Sequence, residues 1–386
     1  MNRDTISVLI VDDSALMRNL VGKIVEGAEG LEVADKAMNG RFALDKIPRV
    51  NPDVIVLDLE MPEMNGIEFL QERKKRKIDI PVVILSSLAK KGAKITMEAL
   101  SLGASDFILK PSGPVSQDIH KVSEKLIETI RVYGRNYQKS RRPLLEIKRE
   151  EEREKPKIIE KEYAALEHPK LPQVLAKKSA GGKRKEKARV IAIGISTGGP
   201  NALRDVFMAI DKNLSLPVVV VQHMPAGFTE EFAKSLDRIC PLSVKEAQDG
   251  DLVQPGRVLI APGNYHMELE KKNLSTVVRL SSKDPVNGHR PSVDVLFSSI
   301  AKQYGAGSIA VIMTGMGKDG VRGIGAIKSM GGITIGQDRA SSVVYGMPKV
   351  AIESGFIEYI VPLDKMAETI GKLAAEQKEP DAVQHS

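Results

Sequence analysis

The chain has 386 residues, enough for two domains of ordinary size, and its 42% hydrophobic and 28% charged residues are typical of a soluble globular protein. The apolar runs, such as Val54–Leu57 and Pro217–Val221, are too short to span a bilayer. No signal-peptide pattern precedes the first apolar run, so we expect a cytoplasmic protein without membrane insertion. The single cysteine, Cys240, excludes an intramolecular disulfide and argues against a zinc site built from thiolates.

The net charge of +7 comes from one segment of the chain. Residues 139–187 contain 16 Lys and Arg against 9 Asp and Glu, so the remainder is formally neutral. Almost no aromatic residues are interleaved with these charges, and no apolar stripe would anchor a helix there. This composition favours a solvated linker over a nucleic-acid-binding surface, and no nucleic-acid partner is expected.

Residues 1–138 alternate between short apolar runs and helical patterns in five repeats, which predicts a five-stranded, doubly wound (flavodoxin-like) α/β domain. The helical patterns begin after Ser14, Asn39, Gly66, Gly92 and Ser116. The predicted strands are Val8–Val11, Val33–Ala34, Val54–Leu57, Val82–Leu85 and Phe107–Leu109.

A second α/β region, of a parallel-sheet, Rossmann-like kind, is predicted over residues 188–376, and a polar tail follows at 377–386. Its helical patterns follow Pro200, Thr229, Ser292 and Gly320. The predicted strands are Val190–Ile193, Val218–Val221, Val258–Ile260, Val277–Leu280, Ile309–Met313, Ile333–Ile335 and Ile357–Val361.

Three acids follow predicted strands of the N-terminal domain: Asp12, Asp13 and Asp58. Because the carboxyl ends of parallel strands meet at one edge of a sheet, these carboxylates should converge there and bind Mg²⁺. Ser86 and Lys110 follow two other strands, and a hydroxyl and an ammonium beside a metal suit a phosphoryl group. The alternative, in which the acids are only helix N-caps, leaves Lys110 and Asp58 unexplained.

Over residues 5–135 the chain resembles response-regulator receiver domains, through Val11–Ser14, Asp58–Pro62, Gly66 and Lys110-Pro111. The resemblance implies that Asp58 is the phosphoacceptor and that Asp12 and Asp13 hold Mg²⁺. It further implies that Ser86 and Lys110 contact the phosphoryl group, that Phe107 is an aromatic switch, and that the Lys110–Pro111 bond is cis.

The C-terminal domain contains a serine on a glycine-rich turn, Gly194-Ile195-Ser196-Thr197-Gly198-Gly199, between a predicted strand and a helix. Backbone N–H groups of such a turn can stabilise an oxyanion. His223 and Asp319 also follow predicted strands, so all three side chains should lie at one sheet edge as nucleophile, base and orienting carboxylate. A structural histidine and a capping serine remain the alternative on these residues alone.

Two other architectures fit less well. An α/β-hydrolase places its histidine last, but only His385 in the tail follows Asp319. A dinucleotide-binding fold requires G-x-G-x-x-G and an acid after the next strand, and Gln222-His223 stands there instead.

Residues 189–375 resemble the catalytic domain of chemotaxis protein-glutamate methylesterases (CheB). The matching stretches are Gly194–Pro200, Gln222–Pro225, Ala261–Gly263, His289–Asp294 and Thr314–Gly320. The chain departs from the family pattern at Ile195, where a small residue is common, and in its long charged linker.

This second resemblance implies a serine esterase without a cofactor that uses Ser196, His223 and Asp319. The implied substrates are glutamyl methyl esters on chemoreceptor helices, with deamidation of certain glutamines at the same site. Met316, Thr197 and Gly198 would lie at the oxyanion site, and His289 and Arg290 near the cleft. A loop hydrogen-bonding role is the alternative for His289.

Together the two resemblances imply phosphorylation of Asp58 by a chemosensory histidine kinase, which would release a monomeric enzyme from inhibition by its own receiver domain. The first rival hypothesis is a phospho-regulated binding or scaffold module without catalysis. The second is a transcriptional regulator, which the absence of a helix-turn-helix pattern disfavours.

Overall fold

The structure, a computed structural model, describes residues 5–87, 90–110, 119–141, 186–273 and 275–375. Most of the predicted linker, the polar tail at 377–386 and the Lys110–Pro111 bond lie outside these ranges. Within them, no helix is long and apolar enough to cross a membrane.

The N-terminal domain is a five-stranded parallel sheet in the order β2-β1-β3-β4-β5, as predicted. Four of its strands, β1, β3, β4 and β5, are mostly apolar and buried, which fits a sheet with helices on both faces, whereas the edge strand β2 is only partly buried. The strands are β1 (Ile6–Val11), β2 (Leu31–Ala37), β3 (Val54–Asp58), β4 (Val82–Ser86) and β5 (Asp106–Leu109). The helices are α1 (Ala15–Glu26), α2 (Gly40–Val50), α3 (Gly66–Lys75), α4 (Lys90–Ser101) and α5 (Ile119–Arg141).

The helix starts follow from capping chemistry. The side chains of Ser14, Asn39 and Asn65 each accept a hydrogen bond from the first turn of the following helix. Asn65 forms a capping box with Glu68, so α3 begins at Gly66 rather than after it. These caps fix where each helix leaves the sheet edge.

The C-terminal domain has a seven-stranded parallel sheet in the order β14-β13-β12-β6-β7-β9-β8. The central strand β6 is paired with β7 on one side and with β12 on the other. The strands are β6 (Val190–Ile195), β7 (Val218–Gln222), β8 (Ser243–Glu246), β9 (Arg257–Ile260), β10 (His266–Lys271), β11 (Thr276–Ser281), β12 (Ser308–Ile312), β13 (Ile333–Gln337) and β14 (Tyr359–Val361). The helices are α6 (Gly199–Ala209), α7 (Phe228–Asp237), α8 (Val293–Tyr304), α9 (Val321–Ser329), α10 (Met347–Glu353) and α11 (Leu363–Ala375).

The structure departs from the sequence prediction in several elements. β11, predicted as part of the parallel sheet, pairs with β10 in a separate antiparallel hairpin. α5 continues through Arg141, three residues into the predicted linker, because Tyr137 and Gln138 still bond to Asp79 and Asp53. Two helices, α10 and α11, and two strands, β8 and β10, have no counterpart in the prediction.

The two domains pack directly on each other. Apolar side chains of both belong to one continuous buried cluster, and the rings of Phe107 and Phe228 are stacked with centroids 4.9 Å apart. Asn201 Nδ2 donates to the carbonyls of Ala104 and Ser105 at 3.0 and 3.2 Å. The receiver strand β5 is therefore held against α6 and α7.

Candidate active site

Ser196 lies at the first position after β6, on the turn that leads into α6. Its backbone N–H donates to the Thr314 carbonyl at 3.0 Å, which ties the turn to the segment after β12. Gly198 has φ 75° and caps the helix, a left-handed conformation that glycine adopts without strain. A Cβ at Gly199 would fall 2.0 Å from Gln222 Oε1, so the turn also requires glycine there for close packing.

His223 follows β7, and its ring bridges Ser196 and Asp319. Nδ1 lies 3.1 Å from the Ser196 hydroxyl oxygen, and Nε2 lies 2.8 Å from Asp319 Oδ2. All three residues stand at the carboxyl edge of β6, β7 and β12, as predicted. The geometry makes Nδ1 the proton acceptor and requires the Nε2–H tautomer, which an ionised Asp319 stabilises.

Asp319 is buried, and its carboxylate faces the N-terminus of α8. Its carboxylate accepts hydrogen bonds from the Ser292 hydroxyl, from the Asn287 amide and from the backbone N–H of Val293, at 2.6 to 2.8 Å. Burial alone would raise the pKa of Asp319, but the hydrogen bonds from His223, Asn287 and Ser292 outweigh it and hold the pKa well below its ordinary value. Asp319 is therefore ionised at neutral pH.

Backbone N–H groups beside Ser196 are candidates for binding an oxyanion. Thr197 and Met316 line the cleft beside Ser196, and their N–H groups find no acceptor within the described part of the chain. The N–H of Gly198, also predicted for this site, instead donates to Asp106 Oδ2 of the receiver domain at 3.1 Å. Thr197 and Met316 are the better candidates in this arrangement.

His289 and Arg290, both predicted to lie near the cleft, line it. The His289 ring stacks on His223 with centroids 3.7 Å apart and planes 10° apart. Arg290 Nη1 donates to the carbonyls of Ser282 and Lys283, so its guanidinium braces a loop.

The cleft above Ser196 has a volume of about 460 Å³ and is walled on one side by the receiver helix α5. The receiver residues that line it are Glu124, Lys125, Glu128 and Thr129. The receiver helix α5 therefore stands directly beside the cleft that contains Ser196 and His223.

The receiver acids converge as predicted. One carboxylate oxygen each of Asp12, Asp13 and Asp58 lies within 4.8 Å of the others, an all-oxygen set that fits Mg²⁺. Lys110 Nζ lies 2.9 Å from Asp12 and 2.6 Å from Asp58. Burial, together with the nearby Asp12 carboxylate, raises the pKa of Asp58 despite the opposing effect of Lys110. Burial would lower the pKa of Lys110, but its contacts with Asp58 and Asp12 outweigh burial and raise that pKa.

Ser86 and Phe107, also predicted to act in the receiver domain, lie on β4 and β5. The Ser86 hydroxyl is 2.6 Å from the Thr96 hydroxyl on α4, a helix that packs on α7. Phe107 is buried in the stack with Phe228 at the start of α7. Phe107 therefore contacts the esterase domain directly, and Ser86 contacts a helix that packs on it.

Comparison with known proteins agrees with this geometry. Residues 191–370 match the family model "CheB methylesterase", and residues 8–121 match "Response regulator receiver domain". A protein-glutamate methylesterase/protein-glutamine glutaminase of Treponema denticola is 56% identical over 97% of this chain and 99% of its own length. The chain belongs to the CheB methylesterase family.

Two further similar proteins were found. A Treponema pallidum protein named protein-glutamate methylesterase/protein-glutamine glutaminase is 50% identical over 96% of this chain and 98% of its own length. The crystal structure of the Thermotoga maritima CheB methylesterase catalytic domain is 44% identical, with a TM-score of 0.48, and covers 48% of this chain and 99% of that one.

Sequence reasoning missed four residues around this CheB-type site. Asn287 and Ser292 bind Asp319, and Asp106 and Asn201 join the domains. A signal existed for the first two, because Asn287-Gly288 is a tight-turn dipeptide and Ser292 precedes an apolar helical run. The interdomain pair had none, because its partners are backbone groups more than 90 residues away.

Proposed function

We propose that this chain hydrolyses glutamyl methyl esters on the cytoplasmic helices of chemoreceptors and deamidates specific glutamines at the same site. The observation that carries the proposal is the bridge from Ser196 through His223 to Asp319 at one sheet edge. The names of its relatives support the same chemistry, and with an intact triad they favour catalysis over the scaffold hypothesis.

The triad geometry assigns the steps. The Ser196 hydroxyl attacks the ester carbonyl while His223 Nδ1 takes its proton, and ionised Asp319 stabilises the imidazolium that forms. The N–H groups of Thr197 and Met316 bind the oxyanion. The proton then passes from His223 to the departing methoxide, which gives methanol and an acyl-enzyme.

Water attacks the acyl-enzyme in the second half of the reaction. His223 takes a proton from that water, the ester bond to Ser196 breaks, and the serine hydroxyl regains its proton. The product is a glutamate side chain. With a glutamine substrate the first leaving group is ammonia, and the remaining steps are the same.

Control by the receiver domain follows from the cleft. With α5 as one wall of the cleft, a receptor helix would have to compete with the receiver domain for the space beside Ser196. Mg²⁺ held by Asp12, Asp13 and Asp58 would supply charge stabilisation for phosphoryl transfer from a chemosensory histidine kinase. Phosphorylated Asp58 attracts Ser86 and Lys110, and the loss of the Ser86–Thr96 bond loosens α4 from α7.

Peptide mass spectrometry tests the substrate class. A methylated receptor fragment is incubated with the phosphorylated full chain, and the modified peptides are sequenced before and after. We expect methylglutamate to become glutamate at defined positions, and some glutamines to become glutamate. Unchanged peptides, with the triad intact and the receiver phosphorylated, would contradict the proposed substrate.

A further inference from the structure

The turn formed by Val286, Asn287, Gly288 and His289 (the 286–289 turn) lies beside the triad. Val286 and His289 exchange backbone hydrogen bonds of 3.1 and 3.0 Å across it. Asn287 and Gly288 have φ of 53° and 78°, the left-handed conformation that a two-residue turn of this kind requires at both central positions. The Asn-Gly sequence therefore fixes the backbone of the turn, and with it the directions in which the Asn287 and His289 side chains project.

Both polar side chains of the 286–289 turn point into the triad. The Asn287 amide donates to Asp319 Oδ1 and to Asp294 Oδ2, each at 2.8 Å. The His289 ring lies flat on His223, with ring centroids 3.7 Å apart. One short turn thus contacts two members of the triad from outside their own strands.

The stack restricts a motion that the hydrogen bonds of His223 leave open. Bonds to Ser196 and Asp319 hold two edges of the ring, but the terminal torsion of a histidine has a broad energy minimum. A flat ring against one face prevents the imidazole from tilting out of the plane that joins the two partners. The His223 side chain is only 5% exposed.

The His289 backbone is hydrogen-bonded to Val286 across the turn, but within the described residues neither ring nitrogen has a hydrogen-bond partner. The stack on His223 is therefore the contact that the ring itself makes in the triad. Burial, together with the nearby charges of His223 and Lys125, lowers the pKa of His289 to about 4. A neutral ring does not oppose the positive charge that His223 acquires during acyl transfer.

Other charged groups surround the two rings and are unchanged by substitution at His289. The Asp319 carboxylate raises the pKa of His289, whereas the Lys125 ammonium on α5 lowers it. The remaining charged residues that line the cleft are Glu124, Glu128 and Arg290.

We propose that the 286–289 turn is a positioning element of the triad, in which His289 holds the His223 ring in line with Ser196 and Asp319. His289 acts through His223 and is a positioning residue, not a catalytic one. The proposal deepens the proposed function, on which its kinetic test rests. Aromatic character, rather than a titrating nitrogen, is what it requires at position 289.

The matched pair His289→Phe and His289→Ala tests this requirement in the phosphorylated full chain with a methylated receptor fragment. Loss of the ring should reduce kcat by about 10²-fold with little change in KM, since small misplacements of a catalytic group cost about that much. Phe should restore kcat to within a few-fold and leave the pH profile as in the wild type. Wild-type kcat in the Ala variant, or equal loss in both variants, would overturn the proposal.

A second readout does not depend on ester turnover. The His223 Nε2 proton, hydrogen-bonded to Asp319, should give a downfield proton NMR signal that is protected from solvent. We expect this signal in the wild type and in His289→Phe, and faster exchange in His289→Ala. An unchanged signal in the Ala variant would contradict the positioning role, whereas failure of the proposed substrate would leave this result intact.

Discussion

The contact between Asn201 and the receiver domain offers a measure of how tightly the domains are held. Its amide donates to the carbonyls of Ala104 and Ser105 across the interface, next to the serine turn but outside the triad. Asn201→Ala removes both hydrogen bonds without adding bulk or charge. We call the arrangement with the receiver domain packed on the esterase domain closed, and an arrangement with these contacts broken open. We expect Asn201→Ala to destabilise the closed arrangement relative to the open one.

The size of the effect follows from these bonds. The Ser105 carbonyl keeps a hydrogen bond from the Tyr133 hydroxyl at 2.8 Å, so the net loss is nearer one bond than two. A neutral hydrogen bond contributes about 1 kcal/mol net, which shifts the closed-to-open ratio about fivefold. In the proposed control by the receiver domain, only open molecules bind a receptor helix. The basal rate of ester hydrolysis by the unphosphorylated chain should therefore rise about fivefold.

The assay is methanol release from a methylated receptor fragment by the unphosphorylated full chain. Asn213→Ala, an exposed asparagine outside the interface, is the matched control and should leave the rate unchanged. Residues 188–386 alone, with and without Asn201→Ala, should be equally fast and faster than the unphosphorylated full chain. An unchanged basal rate in Asn201→Ala, or a slow isolated fragment, would refute inhibition by the receiver domain.

Three further predictions concern charge and metal. Asp319→Asn should lower kcat about 10⁴-fold, measured by methanol release, because an amide cannot hold the Nε2–H tautomer. The lowered pKa of Asp319 stabilises the fold above the unfolded value near 4, and this stabilisation is lost as the pH falls below it. The free energy of unfolding, measured with urea, should therefore fall more steeply from about pH 4 to 2 in the wild type than in Asp319→Asn. EDTA should block phosphorylation of Asp58 by a small phosphodonor, seen by intact-protein mass spectrometry, yet leave basal ester hydrolysis unchanged.

The residues that follow strands could be placed from the sequence, and others could not. Ser196, His223 and Asp319 each come after an apolar run, and the rule that parallel strands end at one edge brought them together. Which ring nitrogen faces Ser196 depends on the direction of the His223 side chain, and no sequence pattern encodes that. That Nδ1, and not Nε2, lies beside the Ser196 hydroxyl is therefore a finding of the structure.

The missed elements have physical reasons. The residue alternation in the β10–β11 hairpin is compatible with a two-stranded ribbon and with a larger sheet. The sequence therefore predicted β11 as a strand but not its pairing with β10. α10 begins at Met347-Pro348 after a glycine, and this proline at the helix start was a usable signal. The domain interface relies on backbone carbonyls of Ala104 and Ser105, and such groups exist at every position.

The central claim is that Ser196 is the nucleophile of an esterase that acts on methylated receptors. Methanol release by the phosphorylated wild type and by Ser196→Ala tests it most directly. A fall in turnover to near background in the variant, with folding unchanged by circular dichroism, is the predicted result. Equal methanol release by the two proteins would contradict the triad and the mechanism built on it.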